Sequence, residues 1–360
     1  MNPLEKIIKK KVKEKGPIAL SEYMSLALTH PLYGYYMKKD PLGKNGDFIT
    51  APEISQIFGE LIGLWAASTW KQMGHPQSTH LIECGPGRGT LMGDFLRATK
   101  LVPNFRSAIN LHLLETSPVL KKRQLALLNS ASPVWHKNMR TVPTGPTILI
   151  ANEFLDSLPV QQVRKTKNGW VERLIGLKND KLVFVEGNAI KIEQLINWNI
   201  PINAKVGAIF EMSHSNIEFA EQICTRLDFY PGYALIIDYG YRDSNGKETL
   251  QGVRKHSFAD PMARPGDIDL TTHVNFGVLA TYVSDRGHTA VGPISQATFL
   301  ERLGVRERTK FLMRNAPQNK AKQIAIGTER LTDPKQMGKL FKAMVIMRNG
   351  SPLPAGFERN

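Results

Sequence analysis

The sequence is poor in the features that mark secreted, membrane-spanning and metal-binding proteins. It has only two cysteines, Cys84 and Cys224, among 360 residues, so a disulfide framework is not expected. No cluster of His, Cys or Asp has the spacing of metal ligands. No apolar run approaches the roughly 18–20 residues that a membrane-spanning helix needs, and Met1–Lys15 lacks the apolar part of a signal peptide. These absences predict a cytoplasmic protein without a metal site or a transmembrane segment.

Charge is unbalanced, with 47 Lys and Arg against 32 Asp and Glu and a formal net charge of +15. Such a charge can attract nucleic acid, anionic lipid or an acidic protein. The basic residues are scattered, however, without basic–aromatic clustering and without a known nucleic-acid module. We therefore assign the charge to solvated faces, and nucleic acid is not the expected partner.

The most informative segment that is present runs from His80 to Thr90. A short apolar run ends in Glu83, and Gly85, Gly87 and Gly89 then recur at every second position. This pattern predicts a buried strand, a tight turn and the start of a helix, with bare backbone against which a cofactor can lie. A dinucleotide fingerprint would be Gly-x-Gly-x-x-Gly. The string Glu-x-Gly-x-Gly-x-Gly is instead typical of class I methyltransferases, which bind S-adenosylmethionine.

Apolar strands alternate with helices after this point. Strands are predicted at 80–84, 109–115, 147–153, 233–238 and 341–347. This order predicts an α/β protein with a Rossmann-like, mostly parallel sheet, which is the class I methyltransferase fold.

The predicted organisation has two parts. Residues 1–75 form an N-terminal helical region that covers the cofactor site, and residues 76–360 form the methyltransferase domain. Hairpin patterns predict an α+β insertion near 160–230. A polar segment predicts a second insertion near 240–280, with the length of a lid or binding loop.

Polar side chains follow the predicted strands, at the edge where open α/β sheets bind ligands. Glu83 can bond the amino group of the cofactor, directly or through water. Glu115 can accept both ribose hydroxyls of an adenosine, and a surface acid at a strand end is the alternative. Asn152 and Glu153 can hydrogen-bond the methionine part of the cofactor or the substrate.

Methyl transfer requires mainly in-line positioning and exclusion of water, because a sulfonium methyl is intrinsically reactive. A nucleophile with a removable proton also needs a base or an orienting carboxylate. The candidate groups are the acids Asp47, Glu53, Glu153, Asp267 and Asp269 and the histidines His256 and His273. A lone histidine is more often structural. Glu153, Asp47 and Asp269 are therefore predicted as the catalytic set.

Several long strings resemble the MidA family of class I methyltransferases, which includes a mitochondrial complex I assembly methyltransferase and bacterial relatives. The strings that carry the resemblance are 46–60, 83–91, 152–160, 237–240 and 267–271. The matches extend from about residue 15 to residue 305.

The resemblance implies S-adenosylmethionine as methyl donor and methylation of a protein arginine linked to the assembly of respiratory complex I, the NADH dehydrogenase. It assigns the cofactor site to Glu83, Gly85, Gly87, Gly89, Glu115, Asn152, Thr50 and Glu53. It places Asp47 with Thr50 and Glu53 over the cofactor or the substrate. The chain begins directly with its first helix, so a bacterial member is expected, acting on a core complex I subunit. A homodimer is a further expectation.

Two other functions stay open at this point. A non-catalytic assembly chaperone could keep the fold, with a basic surface and extra modules. An RNA or small-molecule methyltransferase would account for the charge of +15 and the lid-sized loop. A NAD-dependent dehydrogenase is disfavoured because the third glycine comes one position early.

Overall fold

The computed structural model describes residues 2–43 and 46–358. The helices are α1 (Pro3–Lys15), α2 (Leu20–Thr29), α3 (Tyr35–Lys38), α4 (Ala51–Ile54), α5 (Gln56–Gln72), α6 (Thr90–Ala98), α7 (Phe105–Ala108), α8 (Pro118–Leu128), α9 (Ile192–Asn197), α10 (His214–Phe229), α11 (Phe276–Asp285), α12 (Gln296–Arg302), α13 (Val305–Arg314), α14 (Gln318–Thr332) and α15 (Met337–Leu340). The strands are β1 (Ile18–Ala19), β2 (Thr79–Cys84), β3 (Ile109–Leu114), β4 (Val134–His136), β5 (Thr147–Asn152), β6 (Gln161–Thr166), β7 (Gly169–Lys178), β8 (Lys181–Ala189), β9 (Ile209–Met212), β10 (Gly232–Tyr241), β11 (Gln251–Arg254), β12 (Ser257–Ala259), β13 (Asp269–Thr271), β14 (Val274–Asn275), β15 (His288–Ser295) and β16 (Phe341–Arg348).

The chain divides into two compact units, each built from three separate segments. The first unit comprises Met1–Phe48, Asp156–Phe219 and Arg242–Val278. The second comprises Ile49–Leu155, Ala220–Tyr241 and Leu279–Asn360. The predicted domains, 1–75 and 76–360, divide the chain differently, and that division stays a prediction.

The second unit is organised around one sheet with the strand order β15-β16-β10-β5-β2-β3-β4. Five adjacent strands, β10, β5, β2, β3 and β4, run parallel to one another. β16 is antiparallel to both β10 and β15, so this last strand in chain order lies inside the sheet. All six residues of β5 are buried, as a parallel strand covered on both faces requires. The predicted mostly parallel α/β sheet is therefore confirmed.

Local sequence signals determine where two helices of this unit begin. The hydroxyl of Ser55 accepts a hydrogen bond from the backbone N–H of Ile57 at the start of α5. The hydroxyl of Ser117 accepts from the backbone N–H of Leu120 at the start of α8, where Pro118 occupies the first helical position. Each side chain satisfies a backbone donor that has no partner within its own helix.

Helices α5 and α6 pack closely because two glycines face the neighbouring backbone. A Cβ at Gly59 would lie 2.8 Å from the carbonyl oxygen of Leu91, and a Cβ at Gly63 would lie 2.9 Å from that of Phe95. Both distances are too short for a real Cβ atom, so larger residues would force the helices apart.

A buried carboxylate joins three helices beside this contact. Glu60 of α5 is 1% exposed and accepts hydrogen bonds from Arg97 of α6 at 2.9 Å and from Arg308 of α13 at 2.8 Å. Burial alone would raise the pKa of Glu60, but the two guanidinium groups outweigh it and lower this pKa. Glu60 is thus ionised and paired inside the second unit.

Three histidines form a hydrogen-bonded chain across the neighbouring strands β2, β3 and β4. The His80 and His112 rings are joined by a 2.9 Å Nδ1–Nε2 contact, and those of His112 and His136 by another of 2.9 Å. Burial lowers the pKa of all three, to about 4 for His112, and Arg226 adds to the effect. The folded state therefore favours neutral rings.

The first unit contains two smaller sheets. One has the order β1-β7-β6-β9, with β8 paired to β7. The other has the order β12-β11-β13 and lies in the polar segment that was predicted as a long loop. The predicted hairpins are confirmed by the antiparallel pairs β6–β7 and β7–β8. Within residues 2–43 and 46–358, no helix has the length and apolar character needed to cross a membrane.

Candidate functional site

The glycine turn joins β2 to α6 in the second unit. Gly85, Gly87 and Gly89 have φ values of 62°, 53° and 84°, a region that side chains with a Cβ rarely adopt. A Cβ at Gly85 would lie 3.0 Å from the Phe154 ring. The turn therefore requires glycine for its conformation, and it exposes backbone at the carboxyl edge of the parallel strands.

Glu83 is the second-to-last residue of β2 and precedes these glycines. Its side chain is 3% exposed, and its Oε2 atom has no hydrogen-bond partner among the described residues. Burial raises the pKa of Glu83 to about 8, and the nearby Glu115 carboxylate contributes. A buried carboxyl with an unpaired oxygen is suited to a cationic or hydrogen-bond-donating ligand.

Glu115 follows β3 and is held by three donors. Oε1 accepts from the backbone N–H groups of Thr116 at 2.8 Å and Ser117 at 2.7 Å. Oε2 accepts from Gln124 at 3.0 Å. A carboxylate offers about four acceptor positions, so this arrangement leaves one for a ribose hydroxyl, whereas the sequence prediction gave Glu115 both hydroxyls. The ribose-binding role stays a prediction.

Asn152 and Glu153 end β5 and contact the start of α4. Glu153 Oε1 accepts from the backbone N–H of Ala51 at 2.8 Å and from Asn152 Nδ2 at 3.2 Å. Asn152 Oδ1 is buried without a hydrogen-bond partner in the described chain. Glu153 has φ +49°, an uncommon conformation for a residue with a Cβ, and such strain is found more often at functional sites.

The 46–60 string contacts the glycine turn through Glu53. Thr50 is the residue before α4. The Glu53 carboxylate accepts from Arg88 at 3.3 Å and, through Oε1, from the Thr90 hydroxyl. Residues from distant parts of the sequence thus meet around the turn, within one unit.

The remaining predicted catalytic acids lie in the first unit. Asp47 is 3% exposed and accepts from the Tyr35 hydroxyl at 2.9 Å, from Lys39 Nζ at 2.7 Å and from the backbone N–H of Lys255 at 2.8 Å. Burial would raise the pKa of Asp47, but the hydrogen bonds, led by Lys39, outweigh it and lower this pKa. Asp47 therefore holds local structure, whatever further role it has.

Asp269 has the opposite electrostatic character. It is 3% exposed, and its Oδ1 accepts from the Tyr36 hydroxyl at 2.8 Å. Burial raises the pKa of Asp269 to about 8, and the carboxylate of Asp156 contributes. A carboxyl that titrates near neutral pH is able to take up a proton in that range.

The other candidate groups have partners within the first unit. Asp267 pairs with Lys38 at 2.7 Å. The backbone N–H of His256 donates to the Asp47 carbonyl oxygen at 2.9 Å, and His256 itself forms part of a tight turn with φ 60°. Burial lowers the pKa of His273. Among the described residues, no group of three or more His, Cys, Asp or Glu side chains could hold a metal ion.

The second unit fits S-adenosylmethionine on three counts. The turn has no side chains at three positions with positive φ. Two buried polar atoms, Glu83 Oε2 and Asn152 Oδ1, lack partners in the described chain and are able to accept hydrogen bonds from a ligand. Glu83, Glu115 and Glu153 are acidic side chains, and their ionised forms suit a cationic ligand.

Comparison with known proteins identifies the family. Residues 61–294 match the family described as "Putative S-adenosyl-L-methionine-dependent methyltransferase". The chain belongs to this methyltransferase family. The methyltransferase is 36% identical to the protein arginine methyltransferase NDUFAF7, mitochondrial, of Xenopus tropicalis, over 97% of this chain and 88% of that protein. It is 34% identical to the Homo sapiens protein of the same name, over 100% and 87% of the two chains.

A solved structure agrees with this assignment. A Burkholderia thailandensis protein bound to S-adenosyl-homocysteine is 25% identical, with a TM-score of 0.84 over 98% of this chain and 93% of that one. The class I methyltransferase fold and the use of S-adenosylmethionine are therefore confirmed. The resemblance to the MidA family is confirmed as well. The roles of the individual site residues stay predictions.

Two residues that contact the site, Gln124 and Trp135, were not among those predicted from the sequence. Gln124 Nε2 donates to the Gly87 carbonyl oxygen at 2.7 Å as well as to Glu115. Trp135 Nε1 donates to Gln124 Oε1 at 2.7 Å. No signal in the sequence marks either residue, because a glutamine inside a helix and a tryptophan beside it carry no motif.

Proposed function

We propose that this methyltransferase transfers methyl groups from S-adenosylmethionine to arginine side chains of a protein. The observation that carries the proposal is the match to named protein arginine methyltransferases over nearly the whole chain, at up to 36% identity. The acceptor we propose is a core subunit of respiratory complex I, as the MidA resemblance implies. A bacterial, cytoplasmic setting and a homodimer belong to the same proposal.

The chemistry of arginine explains why the site needs carboxylates. When bound, S-adenosylmethionine supplies a methyl group on a positively charged sulfur. A guanidinium nitrogen attacks this carbon, the C–N bond forms as the C–S bond breaks, and the nitrogen loses one proton. Because a cationic guanidinium is a poor nucleophile, carboxylates must orient it and accept the proton.

The chain offers groups for each of these tasks. The bonds from Ala51 and Asn152 to Glu153 Oε1 hold this carboxylate at the end of β5, where we propose that it orients the acceptor nitrogen. For the first unit we propose that Asp269, with a pKa of about 8, serves as a proton acceptor. Asp47 is proposed to support it by fixing the 255–256 turn of the same unit.

Labelling of a cell lysate tests the proposal. Purified protein is incubated with methyl-labelled S-adenosylmethionine and lysate from a strain that lacks the gene, and proteins and RNA are separated before counting. We expect a labelled protein that yields dimethylarginine on hydrolysis. Glu153→Gln should lower the labelling at least tenfold, whereas Glu329→Gln on the exposed face of α14 should leave it unchanged.

Other outcomes would replace the proposal. Label in RNA would indicate a nucleic-acid methyltransferase. Normal complex I assembly with Gly87→Val, a variant expected to lose the cofactor, would indicate a non-catalytic chaperone.

A further inference from the structure

We infer that Gln124 is a positioning residue of the cofactor site, whose carboxamide fixes the glycine turn and the Glu115 carboxylate relative to each other. The inference rests on the proposed role of Glu115 in holding the cofactor. It assigns a function to α8, which carries none of the residues singled out in the sequence.

The orientation of the Gln124 carboxamide follows from its neighbours. The side chain is completely buried, and each of its polar positions has a partner. The indole N–H of Trp135 can only donate, so the atom it contacts at 2.7 Å must be the carbonyl oxygen of Gln124. The NH₂ group then donates one hydrogen to Gly87 O at 2.7 Å and the other to Glu115 Oε2 at 3.0 Å.

The bond to Gly87 supports a position of the turn that has no side chain of its own to anchor it. Gly87 has φ 53° and no side chain, so packing cannot hold it. Helix α8 contacts the turn a second time one helical turn further on, where a Cβ at Gly89 would lie 3.1 Å from Leu128 Cδ1. Without the carboxamide, the carbonyl oxygen of Gly87 loses its side-chain donor, and the turn loses one of these two supports.

The bond to Glu115 determines which oxygen remains available. Thr116 and Ser117 fill Oε1, and Gln124 takes one position of Oε2. A ribose hydroxyl therefore meets a carboxylate that already has a fixed orientation. Preorganisation of this kind reduces the ordering cost of binding.

Cofactor affinity and thermal stability together test the inference. Isothermal titration with S-adenosylhomocysteine is carried out on the full chain as wild type, Gln124→Met, Gln124→Glu and Glu115→Gln. Gln296→Met is the matched control, because Gln296 is an equally buried glutamine on α12 whose NH₂ group donates to Leu331 O. The melting temperature of each variant is measured in the same buffer.

Gln124→Met should raise the Kd about tenfold relative to wild type at every pH, since it removes the hydrogen bonds to Gly87 and to the charged Glu115, together with the one from Trp135. The KM for S-adenosylmethionine should rise with little change in kcat, as expected when binding is weakened uniformly. Gln296→Met should keep the wild-type Kd, whatever its melting temperature.

Gln124→Glu should depend on pH in a way that a structural role would not produce. It places a second carboxyl against Glu115, whose pKa is raised by burial and lowered in part by its hydrogen bonds and by Lys121, and which itself raises the pKa of the nearby Glu83. At pH 6 the shared proton replaces one N–H, so the Kd should stay within about threefold of wild type. At pH 8.5 the two carboxylates repel, and the Kd should be at least about tenfold weaker than wild type.

Two results separate the possible failures. A wild-type Kd for Gln124→Met, even with a lowered melting temperature, would overturn the inference and leave Gln124 a structural residue. A wild-type Kd for Glu115→Gln would instead remove the proposed cofactor site, and the inference with it.

Discussion

Replacing Glu83 by glutamine should stabilise the protein and weaken its cofactor binding. Burial raises the pKa of Glu83 from an ordinary value of 4.5 to about 8. The folded state thus holds a proton that the unfolded chain releases above pH 4.5. Glu83 stabilises the fold below that pH, and this contribution is lost as the pH rises towards 8. A shift of this size corresponds to roughly 5 kcal/mol.

The assay is the melting temperature of the cofactor-free protein between pH 5 and pH 8. A glutamine mimics the protonated acid. The melting temperature of Glu83→Gln should therefore equal that of the wild type at pH 5 and exceed it by several degrees at pH 8. Glu307→Gln, at an exposed position on α13, should follow wild type at both values. If Glu83→Gln melts below wild type at pH 8, Glu83 is ionised and paired in the folded protein, and the reasoning is refuted.

Cofactor binding supplies the second half of the same prediction. An ammonium group needs the ionised carboxylate, of which about 1% is present at pH 6 and half at pH 8 when the pKa is about 8. The Kd of S-adenosylhomocysteine should therefore fall roughly 50-fold over this range in wild type. In Glu83→Gln the Kd should be weak and independent of pH, and a pH-dependent Kd in this variant would assign the titration to another group.

Three further substitutions test the second unit. Glu60→Leu should cost about 2–3 kcal/mol in chemical denaturation, because two guanidinium groups lose a buried carboxylate; an unchanged midpoint would contradict the pairing. Gly59→Ala should be destabilising despite the higher helix propensity of alanine, since its Cβ would lie 2.8 Å from the Leu91 carbonyl oxygen; a raised melting temperature would show that the helices separate freely. The lowered pKa of His112 predicts stability that is present above pH 6.5 and is lost as the pH falls towards 4, so His112→Leu should flatten the acid side of the melting curve. An equally steep acid loss in that variant would exclude the histidine chain as its cause.

The sequence was sufficient for features that have local signals. The apolar run before Gly85 predicted β2, and the hairpin patterns predicted the antiparallel pairing of β6, β7 and β8. The spacing of the glycines predicted the cofactor, because the turn needs positive φ at those positions.

Features that depend on which strands are neighbours could not be predicted in this way. The hydrogen-bonded series of His80, His112 and His136 rings forms only because β2, β3 and β4 are adjacent in this register. Gln124 is likewise unremarkable within its helix, and it acquires a role only when α8 packs beside the glycine turn. The segment near 240–280 was expected to be a loop because β11 and β12 are short and partly exposed, with little apolar alternation.

The position of β16 has a consequence for the synthesis of the protein. The ribosome makes this strand last, yet it lies between β10 and β15 in the sheet that carries the glycine turn. A nascent chain that has passed Tyr241 therefore exposes an unpaired edge of β10, a largely apolar strand that is almost entirely buried in the folded protein, until Phe341–Arg348 emerges. Such an edge is a site for aggregation, so the nascent chain needs protection at this stage. The cofactor sheet is completed only once β16 has left the ribosome, and a chain that ends before Phe341 is not expected to bind the methyl donor.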